Sequence, residues 1–192
     1  MRDFEYETFR EDKKHTEVAF PYNTYLCSIP LDFSSVPVQW HEEMELIVVK
    51  KGRGLVTLDR ESRLLEAGQA VIVLPGQLHG IRQYQQERME YENIIFRLEM
   101  LLPKEGDVCG PKFLEPYRDG KLLYTAWIDG SALYHEEMLE CIRKMDELSE
   151  QRPRGYPLAV KGWLFQFFFL LFSRVEPTLA EEGREKSLDN HF

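Results

Sequence analysis

Two imidazoles and a carboxylate, His41, Glu45 and His79, sit among aliphatic residues of this 192-residue chain. Imidazole nitrogen and carboxylate oxygen together suit Zn, Ni, Mn or Fe, and three such ligands with an open position suit catalysis. The same groups can instead hydrogen-bond one another, or a polar ligand, without any metal. A buried carboxylate beside two imidazoles stays charged and can protonate one of them. No serine or cysteine is placed next to a histidine, so no nucleophile with a base at reach is expected.

A strand must position this chemistry. From Gln39 to Gly54 the chain runs through Leu46, Ile47, Val48 and Val49 and then meets Gly52 and Gly54. Strand side chains alternate between faces, so Gln39, His41, Glu43, Glu45, Ile47 and Val49 share one face. Polar groups beside Ile and Val need a partner, a ligand or an ion, because unpaired burial is costly. Glu66 to His79 reads as a turn, a buried strand over Ala70–Leu74, a second turn at Pro75-Gly76 and a histidine. Further strands are expected at Tyr22–Ile29, Val36–Trp40, Leu55–Leu58, Arg63–Glu66, Leu78–Tyr84 and Met89–Met100, with Gly52-Arg53-Gly54 as a hairpin turn. Regular strands separated by turn signals indicate a mainly β sandwich or barrel. A small barrel holds one modest ligand in its mouth. Gln39, His41, Glu45 and His79, with Tyr91 nearby, suit a sugar or an organic acid. Trp40 has the opposite parity and is expected to pack outward. Arg53 and Arg82 either meet an anionic ligand or lie on a solvated surface.

His41-x3-Glu45-x6-Gly52, followed by Gly68, Pro75-Gly76 and His79, resembles the two sequence motifs of the cupin barrel, a double-stranded β-helix or jelly-roll. The likeness is greatest to the sensor half of AraC/XylS-type bacterial transcription regulators. It covers Gln39 to Ile81 by motif, and extends to Arg174 by order of elements. The full cupin metal pattern has a histidine where this chain has Gln39. The resemblance implies an effector-binding and dimerisation domain without enzymatic activity, with an N-terminal arm able to fold over the pocket. The alternative is a stand-alone metal-dependent cupin enzyme of dioxygenase or sugar isomerase type.

The remainder of the chain is consistent with that organisation. Hydrophobic residues make up 43% and charged residues 30%, enough for a packed core. A net charge of −9 makes the chain a poor candidate to touch DNA by itself, since phosphate contacts need cations. DNA binding is therefore expected only through a helix-turn-helix domain carried after Phe192. Cys27, Cys109 and Cys141 form no zinc or redox motif and suggest a reducing compartment. The polar, acidic N-terminus is no signal peptide, and a cytoplasmic protein is expected.

Residues 1–19 read as an arm or as a loose, poorly ordered lead-in, with Phe4, Tyr6 and Phe9 available for contact in the first case, and residues 20–130 as the barrel. Pro103, Pro111 and Pro116 interrupt residues 101–130, which read as irregular. Residues 131–175 are expected to form two C-terminal α-helices, an amphipathic one over Leu133–Glu150, capped by Asp129 or Ser131, and a second over Leu158–Val175 with Pro157 in its first turn. The second is apolar on nearly all sides, yet its run is shorter than the roughly 20 residues of a membrane span. A symmetric partner is the simplest cover for its outer flank, so Trp163, Phe165, Phe168, Phe169 and Phe172 are expected at a homodimer interface. Residues 176–192 read as a polar linker, and His15, His135 and His191 as surface histidines.

Overall fold

The computed structural model describes residues 6–103, 106–131 and 134–173 and the backbone of 178–179. Phe4, His191 and most of the expected linker lie outside the described residues. Among the described residues, nine strands precede the helix pair: β1 (Tyr22–Ile29), β2 (Ser35–Gln39), β3 (Met44–Leu58), β4 (Glu61–Glu66), β5 (Ala70–Val73), β6 (His79–Gln83), β7 (Met89–Phe96), β8 (Leu122–Leu123) and β9 (Trp127–Ile128). A short helix α1 (Glu115–Arg118) lies before β8, and α2 (His135–Gln151) and α3 (Tyr156–Phe172) follow β9. Within the segment expected as a linker, β10 (Thr178–Leu179) pairs with β8.

β3 organises the barrel. Gly52-Arg53-Gly54 is not a hairpin turn: the strand continues through it for 15 residues. Its first half pairs with β7 and β5, and its second half with β4 and β6, so one strand crosses from one sheet to the other. The register shifts between Val49 and Lys51, and Gly52 takes φ +69°. A positive-φ glycine serves a bulge that bends a strand as well as it serves a turn. A side chain at Gly52 would also strike the Arg88 carbonyl, 1.8 Å from its ideal Cβ.

The two faces of β3 face two cores. Ile47 and Val49 point into the barrel with Ile29, Val71, Val73, Ile81 and Tyr91. Met44, Leu46 and Val48 point outward onto Met138, Ile142 and Met145 of α2 and Leu164, Phe167 and Phe168 of α3. The helices thus cover the outside of the sheet, which explains why this strand is apolar on both sides. Each buried side chain of this kind contributes about 1.5–3 kcal/mol.

The segment expected to be irregular is partly ordered. Pro111 and Pro116 start short helical turns at Gly110–Leu114 and Glu115–Arg118 rather than breaking them, because a first-turn position needs no N–H donor. β9 completes the inner sheet against β5. Asp129 does not cap α2; it accepts the Ser131 amide at 2.9 Å, and Tyr134 occupies the N-cap. Pro157 does sit in the first turn of α3.

Candidate functional site

β2 ends at Gln39, and the chain turns inward before β3 begins at Met44. This loop carries His41. β3 then carries Glu45 on its inner face, and β6 opens with His79, which stands opposite Gln39 in the β2–β6 register. Gly80 allows that pairing to be close, since an ideal Cβ there would lie 3.1 Å from the Val36 carbonyl.

His41, Glu45 and His79 meet inside the barrel at 4%, 3% and 2% exposure, with donor atoms all within 4.8 Å of one another. His41 Nε2 is 3.0 Å from Glu45 Oε2, and His79 Nε2 is 3.1 Å from the same oxygen. The other ring nitrogens face backbone carbonyls: His41 Nδ1 lies 3.1 Å from Glu43 O and His79 Nδ1 lies 2.9 Å from Gln77 O. An N–H donated to those carbonyls leaves each Nε2 lone pair aimed at the carboxylate. Three acceptors cannot face one another without positive charge between them, so the cluster requires a proton or a cation. His79 Nε2, despite its short distance, has no aligned hydrogen-bond partner. A buried imidazole nitrogen left in this way beside a second imidazole and a carboxylate fits a metal ligand set.

The electrostatics agree. Burial alone would raise the Glu45 carboxyl, but the two imidazoles beside it, His41 and His79, outweigh this and hold the group far below the usual carboxylate range. Burial alone would lower His79, but Glu45 reverses this and leaves the imidazole raised above 6.5. Glu43, of the same parity, is also buried, with its carboxylate 3.6 Å from Arg97 Nε.

Among the other expected site residues, Tyr91 lies in the barrel interior at 1% exposure, its hydroxyl raised by burial and paired with Cys27. Gln39 is turned away from the trio, donating to Glu11 Oε2 at 3.0 Å. Arg53 forms a two-pronged pair with Glu87, and Arg82 is exposed, so neither enters the barrel.

The arm is strapped across the mouth. Trp40 N donates to Phe9 O and Glu11 N to Trp40 O, each at 2.9 Å. Tyr6 stacks on Trp40 at 4.8 Å, and its hydroxyl donates to the Gly76 carbonyl. Trp40 packs outward, as its parity requires, and the arm buries it. His15 is not a surface histidine: it is 7% exposed, bonded to Glu11 at 2.8 Å, and its ring lies 5.4 Å from that of His41. His135 also has a structural partner, the Gly68 carbonyl at 2.8 Å. Sequence reasoning missed Glu11 as a neighbour of the site. Its four-residue spacing from His15 was the only signal, and that spacing is common on surfaces.

The helix pair presents a second feature. An open groove of about 790 Å³ lies between α2 and α3, lined by Glu137, Cys141, Gly162, Trp163, Gln166 and Leu170. Leu158, Phe165 and Phe169 are 78%, 40% and 61% exposed on one face of α3. Phe168 does not join them. It is 2% exposed and packs on Phe96 and Tyr117 inside the subunit, which corrects its place at an interface. Phe172 is half-buried and stacks at 6.3 Å on Phe113. Among the described residues no helix is long and apolar enough to cross a membrane.

With this geometry in hand, the family described as Cupin domain matches residues 26–95, and the fold is a cupin fold followed by two C-terminal helices. An uncharacterized HTH-type transcriptional regulator of Bacillus subtilis is 19% identical over 155 residues, 80% of this chain and 52% of that protein. The chain thus spans about half the length of the curated relative it matches. A cupin protein from Bacteroides fragilis is similar in structure, with TM-score 0.39 and 22% identity over 46% of this chain and 78% of that one. A predicted oxalate decarboxylase from Thermotoga maritima has TM-score 0.36 and 21% identity over 38% of this chain and 64% of that one. A DMSP lyase from Ruegeria pomeroyi has TM-score 0.36 and 17% identity over 48% and 45% of the respective chains.

Proposed function

We propose that this cupin domain is the effector-sensing and dimerising half of an AraC-like transcription regulator, binding a small polar molecule in the barrel and acting on DNA through a helix-turn-helix domain outside this chain. The observation that carries this is the double duty of β3. The strand turns Glu45 into the polar site and, at adjacent positions, Met44 and Leu46 onto the helix pair. A ligand that moves Glu45 therefore acts on a strand against which α2 and α3 are packed. The likeness to an HTH-type regulator supports the same assignment. The effect on DNA requires that the ligand favour one of two arrangements; tight binding to both would shift nothing.

The bare apolar face of α3 is assigned to a second copy of the chain. Phe165 and Phe169 centre it, with Trp163 and the groove at its edge. Where a divalent ion such as Zn, Ni, Mn or Fe is bound, His41, Glu45 and His79 hold it, and it supplies a Lewis acid that binds an oxygen-bearing effector. That same trio favours the second reading, a metal-dependent enzyme, which turnover of a small substrate by the metal-loaded protein would establish.

The test is a thermal-shift and calorimetric screen of sugars, organic acids and divalent metals against the protein and its Glu45→Ala variant. The wild type is expected to bind one class, and the variant to lose binding by 100-fold or more, about 2.7 kcal/mol, while keeping its β-sheet circular dichroism. Equal binding by both proteins would move the effector site out of the barrel.

A further inference from the structure

Where α2 meets the sheet, the chain buries more negative charge than positive. Lys50 of β3, Glu92 of β7 and Asp146 of α2 come together there, with side chains 31%, 10% and 16% exposed. Lys50 Nζ bonds Asp146 Oδ2 and lies 2.7 Å from Glu92 Oε2, so two carboxyl groups share one ammonium. Glu92 Oε2 and Asp146 Oδ1 are both buried without an aligned hydrogen-bond donor. The two carboxyl groups are close enough to hydrogen-bond each other. Carboxylates are acceptors only, so such a bond forms only when one of the two carries a proton.

The surrounding groups offer no second cation. Among the described residues, Lys50 is the only lysine or arginine paired with either acid. From β1, Tyr22 faces the pair, but its hydroxyl is hydrogen-bonded to Ser149 at 3.3 Å, and Tyr156 of α3 lies near that ring across Phe20. One step along the strands, Lys51 is held by Glu90 at 3.0 Å. On α2, Arg143 is engaged by Glu140 and Glu147, and Lys144 by Glu147. Past its end, Arg152 donates to the Ser149 carbonyl at 3.2 Å. A proton is the charge that remains to balance the cluster. Burial and the neighbouring Asp146 accordingly raise the Glu92 carboxyl, against Lys50.

We propose that Glu92 and Asp146 share one proton, and that this proton and Lys50 together latch α2 onto the barrel wall, so that pH biases the position of the helix pair. With the proton in place the cluster is neutral and each acid has a donor. Without it the cluster carries one excess negative charge, and Asp146 is repelled from Glu92 together with its helix. The two wall residues of the latch each follow a residue of the barrel interior, Lys50 after Val49 and Glu92 after Tyr91. An occupant of the barrel and a proton at the seam thus act on the same two strands. That last link rests on the barrel interior being the sensory site; the latch does not.

The experiment follows amide hydrogen exchange along α2, corrected for the intrinsic exchange rate at each pH, and the infrared carbonyl band of protonated carboxyl groups, both in the full chain. Glu92 binds its proton more tightly with α2 docked than released, so protection around Asp146 is expected to fall several-fold as pH rises from about 4.5 to about 7 and then to level off. Glu92→Gln, whose amide donates to Asp146 and accepts from Lys50 as the protonated acid does, is expected to keep α2 protected throughout and to remove the infrared band. In Lys50→Met the band is expected to persist to higher pH, because the charge that opposes protonation is gone. Protection in the parent that does not change with pH, or a band that survives in Glu92→Gln, would mean that no proton is shared, and the inference falls. Loss of protection at every pH in Glu92→Gln would also overturn it, since ionised Glu92 and not the proton would then hold the helix. The effector screen with Glu45→Ala decides the sensory reading separately: a pH-dependent α2 in a protein whose barrel binds nothing would uphold the latch and remove its link to sensing.

Discussion

The barrel mouth and the outer face of α3 handle side chains in opposite ways. In the mouth, polar groups are buried and each charge is met by a residue from another element. His41 comes from the loop after β2, Glu45 from β3, His79 from β6, and Glu11 and His15 from the arm. On α3, apolar groups are exposed: Leu158, Phe165 and Phe169 stay open among the described residues, while Val160, Leu164 and Phe168, a few residues away, are sealed. The mouth completes itself with parts of one chain, and its unfinished business is a small charge. The helix face is open in area, the kind of surface that suits another macromolecular face rather than an ion.

The sharpest test separates neighbouring phenylalanines on α3. Phe168 fills the space between Phe96 and Tyr117, so Phe168→Ala is expected to cost about 3–5 kcal/mol in denaturant unfolding. Phe169→Glu, at a site 61% exposed, is expected to leave the stability of the subunit nearly unchanged and to shift sedimentation from dimer toward monomer. A parent chain that sediments as a monomer would break the comparison, since the bare face would then have no second copy to cover it.

A smaller effect is expected at the strap. Tyr6 stacks on Trp40 with an interplanar angle of 11° and accepts the indole N–H at its carbonyl, 2.9 Å away. Tyr6→Ala removes the ring but leaves that carbonyl. It is expected to cost about 0.5–1.5 kcal/mol and to speed tryptic cleavage after Arg10 without lowering the cooperativity of the barrel's melt. Unaltered cleavage would mean that the backbone contacts with Trp40 suffice to hold the arm.

Much of this contrast was readable in the sequence, and the failures have physical causes. Alternation placed Glu45, Ile47 and Val49 on one face, because period-two geometry is local and survives any tertiary arrangement. It could not show that β3 runs through Gly52, since a glycine at positive φ serves a turn and a bulge equally. β9 was invisible because two residues carry no period. In α3 nearly every position is apolar, so the pattern named no buried side, and Phe168 could not be told from Phe169. Glu11 and Gln39 are separated by 28 residues, and no local rule brings them together.

A third region, the seam between barrel and helix pair, sharpens the comparison because it mixes both styles. Lys50 of β3 lies 2.7 Å from Glu92 Oε2 of β7 and bonds Asp146 of α2, with Tyr22 and Ser149 hydrogen-bonded to each other nearby. Burial raises the Glu92 carboxyl, the neighbouring Asp146 raises it further, and Lys50 only partly opposes them, leaving it at about 7. A carboxyl raised above its ordinary 4.5 binds its proton more tightly in the folded chain than in the unfolded one. Its contribution to stability is therefore complete below about pH 4.5 and is lost as pH rises through about 7, opposite in sign to the deeply lowered Glu45. With solvent screening at this partly open site, the change is expected to be about 1 kcal/mol or less. Glu92→Gln is expected to flatten the stability profile, measured by urea unfolding at several pH values, whereas the parent loses the contribution between about pH 4.5 and about pH 7. A profile that rises with pH in the parent over that window would show that Lys50 holds both carboxylates ionised, and the seam would then resemble the mouth, where Glu45 is held charged, rather than stand between the two regions.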